Sequence, residues 1–85
     1  MGVKEDFSAL LGRTSEDTIR SHIDMVSPGM LAKALKNLEP AIQIKVLRNM
    51  GPDSAQAVKD QMEGEIPPED TEAAQREILS MAQGY

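Results

Sequence analysis

An all-α fold, a compact array of about six short helices, is what this sequence predicts, and three observations carry that expectation. Apolar residues recur at three- and four-residue spacing in six successive stretches, and none alternates at period two for long enough to make a strand. Aromatic residues are 2% of the chain, and β-branched residues are few, which disfavours a sheet. Proline and glycine fall between the stretches rather than inside them, at Ser27-Pro28-Gly29, Glu39-Pro40, Gly51-Pro52 and Pro67-Pro68.

The first helix is expected over roughly Lys4 to Leu11, where Phe7, Leu10 and Leu11 make one apolar stripe and Gly12 can end it in the left-handed conformation. Thr14-Ser15-Glu16-Asp17 follows as a candidate capping box with acids in the first turn. The helix after it carries Ile19, Ile23 and Val26 on one face. Ser27 is suited to cap a third helix, with Pro28 at its first position and Met30, Leu31, Ala34, Leu35 and Leu38 facing inward. Glu39-Pro40 opens a fourth, with Ile42, Val46, Leu47 and Met50. Gly51-Pro52 opens a fifth, with Ala55, Val58 and Met62 at helical spacing. The double proline stiffens the connector Gly64–Pro68. A sixth helix starts near Pro68, turns Ala74, Ile78, Leu79 and Ala82 inward, and ends near Gly84. Connectors this short suit neighbouring helices packed at right angles or antiparallel. No repeat of solenoid length is visible.

Eighty-five residues make one domain, spanning 1–85, with a small core and no room for a large buried cleft. The chain has no Cys, hence no disulfide framework and no Cys-based zinc site. No apolar run approaches the ~20 residues that a spanning helix needs, and no apolar signal segment opens the chain. Met1-Gly2 alone does not read as a myristoylation signal, because Asp6 stands where Ser or Thr is required. A soluble, cytoplasmic chain without membrane insertion is expected. The net charge is −5, and it is unevenly placed. Residues 1–50 hold seven basic and six acidic side chains; residues 51–85 hold Lys59 and Arg76 against eight acids. The acidic second part is either the solvated face of helices or a docking face for a basic partner. It does not suit phosphate backbones, so no nucleic-acid partner is expected, and a DNA-reading helix-turn-helix would need basic or amide clusters that the last two helices lack.

Catalysis requires convergent groups with matched proton affinities. His22 is the sole histidine and has no carboxylate at metal-ligand spacing; it reads as a boundary residue beside Ile19 and Ile23. The serines lack a nucleophile-elbow context, the glycines are scattered at helix ends, and the acids do not follow a calcium-loop spacing. The expectation is a protein that is not an enzyme and takes no cofactor or metal. Met30, Met50 and Met62 lie on apolar stripes and read as core filling, with an adaptable contact surface as the alternative.

Five segments resemble one family in order. Asp17-Thr18-Ile19-Arg20, Leu31-Ala32-Lys33-Ala34-Leu35-Lys36, Val46-Leu47-Arg48-Asn49-Met50, Lys59-Asp60-Gln61-Met62 and Asp70-Thr71-Glu72-Ala73-Ala74-Gln75 with Ile78 are similar to successive segments of the C-terminal part of the flagellar motor switch protein FliG. The resemblance covers residues 14–82. It implies an all-helical, non-catalytic rotor module at the cytoplasmic face of the membrane in the flagellar basal body. The partners it implies are the stator, switch-complex subunits or further copies of the chain, met through charged helix faces.

Carried over by position, Lys36 matches the lysine of the family's "A-L-K" segment, Lys59 the basic residue before an acidic pair, and Asp60 the first acid of that pair. Asp53 stands where the family has a basic residue, so its sign is reversed; Gln61 replaces the second acid, and the connector is shorter and lacks an arginine. Lys36, Asp53, Lys59 and Asp60 are therefore the candidate protein-contact residues. The alternatives are a stand-alone helical adaptor that has lost the torque-generating charges, or a regulatory domain similar in fold to the N-terminal domain of MgtE magnesium channels.

Overall fold

The computed structural model describes residues 2–82. Among them are six α-helices and no strand: α1 (Val3–Arg13), α2 (Glu16–His22), α3 (Pro28–Leu35), α4 (Pro40–Leu47), α5 (Pro52–Met62) and α6 (Pro68–Ala82), with a 3-10 turn at Ile23–Met25 extending α2. The expected class and number of helices are both present.

α3 is the centre. Leu31, Ala32, Ala34 and Leu35 are all buried, and they form one core with Phe7, Leu38, Val46, Val58 and Ala74. Three faces of this short helix are thus covered, chiefly by α5 and α6. Ala32 and Ala34 have no exposed surface, and their small side chains let the flanking helices come close. Met30, Met50 and Met62 are half-buried against the same core, as expected of gap-filling methionines.

Local chemistry sets the boundaries. Ser27 Oγ accepts from the Met30 N–H at 3.3 Å, and Pro28 occupies the first turn of α3. Pro40 and Pro52 take the same place in α4 and α5, where a missing N–H leaves nothing unpaired. Ser15 caps α2 by accepting from the Thr18 N–H at 3.2 Å. The expected reciprocal box is not formed there, because the third helical position is Thr18 rather than Glu or Gln.

Two expectations need correction. The first helix runs to Arg13, through Gly12, and leaves at Thr14 in an extended conformation (φ −82°, ψ 132°). Gly12 is not a left-handed stop. The end of α1 is held from outside by Lys45 of α4, whose Nζ donates to the carbonyls of Leu11 at 2.8 Å and Gly12 at 3.1 Å. Ala82 is exposed rather than inward. It sits in the last turn of α6, where with Met81 it lines an apolar hollow instead of filling the core. Gln75, not anticipated, is fully buried. The expected stop at Gly84 lies outside the described residues.

Candidate interaction surface

α5 is amphipathic in the simplest way. Ala55, Val58 and Met62 turn toward α3, and Val58 has no exposed surface. The opposite side carries Asp53, Gln56 and Asp60, all exposed. Asp53 and Asp60 are seven residues apart, hence nearly aligned and about 10 Å from each other along the axis. Gln56 Nε2 donates to Asp60 Oδ1 at 2.8 Å and holds that carboxylate on the helix surface. Lys59 is exposed on the flank, rotated about 100° from Asp60. Asp53 sits in the first turn of α5 and Lys59 in the last, each at the end of the helix dipole that favours its charge.

Of the four sequence-derived candidates, α5 therefore carries three, on its outward side and one flank. Lys36 comes from the C-terminal end of α3 and is half-buried. Its ammonium donates to the carbonyl oxygen of Met62 and, at 3.0 Å, to that of Gly64. It thus meets the C-terminal end of α5 rather than the outward row of carboxylates.

The same device recurs. Lys45 holds the end of α1, as described above. Gln43 Nε2 donates to the Leu35 carbonyl at 2.7 Å at the end of α3. Gln75 Nε2 reaches the Ala34 carbonyl at 2.9 Å and Asn37 Oδ1 at 2.8 Å, while its own Oε1 is buried without a partner. The last carbonyls of a helix have no partner inside it. Here amide and ammonium groups from other helices supply the donors.

A second charged cluster joins α2 to the end of α4. Arg48 grips the Glu16 carboxylate in two places, Nε to Oε1 at 2.8 Å and Nη2 to Oε2. Asn49, almost fully buried, donates from Nδ2 to Glu16 Oε1 at 3.1 Å and to the Lys45 carbonyl at 2.8 Å, and accepts from Arg20 at 2.9 Å. Arg20 also pairs with Asp17 at 3.2 Å. The Arg48 hydrogen bonds, followed by that from Asn49, hold the Glu16 carboxyl well below its ordinary 4.5, at about 2. Glu16 in turn raises the proton affinity of Arg48. Sequence reasoning quoted Arg48-Asn49 only as part of a resemblance. Their partner is 32 or 33 positions away and no spacing rule could have found it.

Two hollows border α2 and the 3-10 turn. A polar one of about 560 Å³ borders Arg20, Asp24, Arg48, Asn49 and Ser54, with both guanidinium groups already paired. An apolar one of about 210 Å³ lies between α1, the 3-10 turn and α6, with the exposed Met25 and Met81 beside it. His22 borders it, exposed, with Nδ1 2.8 Å from the Thr18 carbonyl. No helix among the described residues is long and apolar enough to cross a membrane.

A family profile described as the FliG C-terminal domain matches residues 5–85. The chain is also similar to the flagellar motor switch protein FliG of Vibrio cholerae serotype O1, with 42% identity over 60 residues. That alignment takes in 67% of this chain and 17% of the relative, so the chain spans about a sixth of the relative's length. No solved structure matches the chain.

Proposed function

The chain belongs to the FliG C-terminal domain family, and from that premise we propose that it is a non-enzymatic interaction module of a flagellar rotor or switch. The surface in use is the outward side of α5, with Asp53, Lys59 and Asp60 as the contact charges. The partner is a stator loop or a neighbouring switch subunit at the cytoplasmic face of the membrane. One observation carries this reading. α5 is fixed along its inner face by burial of Val58 against α3, while its ionised side chains stand in solvent. A rigid helix with an exposed charged side can meet an oppositely charged helix repeatedly without chemistry and without unfolding. Such contacts steer encounter and set register more than they raise affinity.

The sign of the surface narrows the partner. With Asp53 and Asp60 against Lys59, and Glu63 just past its end, the α5 surface is predominantly acidic, which suits a partner segment that sets Lys or Arg against the carboxylates and an acid against Lys59. A second reading, a helical adaptor relieved of torque duty, is favoured by Asp53, whose charge is opposite to that of the family pattern. Reversal at Lys59 or Asp60 separates the proposal from a purely structural role. Lys59→Glu or Asp60→Lys should impair motility or partner capture while circular dichroism stays that of the native chain. Retention of full function by both variants would remove these residues from the surface.

A further inference from the structure

Lys36 stands apart from the other candidates, and the reason lies in how α5 ends. The last carbonyls of α5 need donors. The usual device, a glycine in the left-handed conformation just past the helix, is not used: the φ of Gly64 lies outside the left-handed region, and its N–H bonds the Gln61 carbonyl at 3.2 Å. The chain beyond offers little help. Pro67 and Pro68 have no N–H to give back. The donor comes instead from α3, where the Lys36 ammonium bonds the Met62 and Gly64 carbonyls together. One of those oxygens belongs to the last turn of α5 and the other to the connector that aims α6. A cation at this position also complements the negative end of the helix dipole.

Building on the proposed function, we infer that Lys36 is a positioning residue for the α5 surface: it fixes the C-terminal turn of α5 and the start of the connector, and does not itself meet the partner. Its ammonium faces backbone oxygens of its own chain, and its side chain is half-buried. Replacing it should change where the α5 charges stand without removing an ion contact to the partner. The sequence alone groups Lys36 with Lys59 as equivalent surface cations; the geometry assigns them different tasks.

Lys36→Met keeps the apolar stem and removes the donor, and Lys36→Arg keeps both charge and donors. Amide hydrogen exchange by NMR on the full chain reads the positioning directly. Lys36→Met should speed exchange of the Glu63 and Gly64 amides about 10-fold, the scale expected when two charge-assisted bonds at a helix end are lost. Lys36→Arg should restore the slow rate. Binding of a synthetic peptide of the stator's cytoplasmic loop, measured over a range of NaCl concentrations, reads the second half. Lys36→Met should weaken binding with the salt dependence unchanged, whereas Lys59→Glu should alter the salt dependence itself. Native exchange rates in Lys36→Met, or a salt dependence altered as in Lys59→Glu, would overturn the inference. If the native chain ignores the peptide, the functional proposal fails, and the exchange rates alone decide the role of Lys36.

Discussion

Two charged clusters on this small frame are built in opposite ways. At the α2–α4 junction, Glu16, Arg48, Asn49 and Arg20 satisfy one another, and the Glu16 carboxyl is held at about 2 by that company. On α5, Asp53 and Lys59 have no ion-pair partner among the described residues, and Asp60 has only the neutral amide of Gln56. The first cluster joins elements far apart in the chain and has little left to offer a partner. The second joins nothing and keeps its charges for whatever arrives. Placing charge on a surface is therefore not enough to make an interaction site. What matters is whether internal partners already satisfy it, and Lys36, whose ammonium is tied to two carbonyls, sits on the internal side of that divide.

The largest effect is expected from loosening the frame that both clusters share. Leu35 is fully buried at the centre of the core. Leu35→Ala should cost about 3 kcal/mol, as large-to-small core changes do, and should destabilise both clusters together in a urea titration. In a domain whose whole stability is of order 5–15 kcal/mol, that is a large fraction. If only one region melts, the two do not share a frame.

The next effect belongs to the α2–α4 cluster alone. The folded-state proton affinity of Glu16 lies below its ordinary value, so its contribution to stability is present above about pH 4.5 and is lost as pH falls toward 2. Glu16→Gln should lower the urea midpoint at neutral pH and flatten its fall over that acid range, leaving α5 amide exchange as in the native chain. An acid limb identical to the native one would mean that the Arg48–Glu16 contact does not hold in solution. The smallest effect is expected at Gln56→Ala. It removes one exposed bond to Asp60, so stability should shift by no more than about 0.5 kcal/mol. Partner binding should change slightly, through a freer Asp60 carboxylate. A large loss of stability would show that the α5 outer side is more than a display surface.

The helical class and nearly every helix start were legible because they depend on local signals: Ser15 and Ser27 as caps, Pro28, Pro40 and Pro52 in first turns, and apolar stripes such as Ala55, Val58 and Met62. Helix ends were less legible because this chain closes them from a distance. Gly12 looked like a stop, yet Lys45, more than thirty positions on, supplies the donors. The burial of Gln75 against the end of α3 was not legible either, because a polar side chain gives no apolar-stripe signal. The α5 candidates were legible one by one, since amphipathic spacing places Asp53 and Asp60 together. The distinction between Lys36 and Lys59 was not, because both are lysines near helix C-termini and only three-dimensional neighbours separate them.

Charge display on α5 is open to a direct check through the ionic-strength dependence of binding to the stator-loop peptide, with the native chain and Lys59→Glu compared by titration calorimetry. Affinity of the native chain should fall steeply as NaCl rises, since exposed charges are screened over about 8 Å at physiological salt. The variant should show a different slope with an unchanged helical spectrum. Equal, salt-independent affinities for the two would contradict the account, and would shift attention to the apolar hollow beside Met25 and Met81.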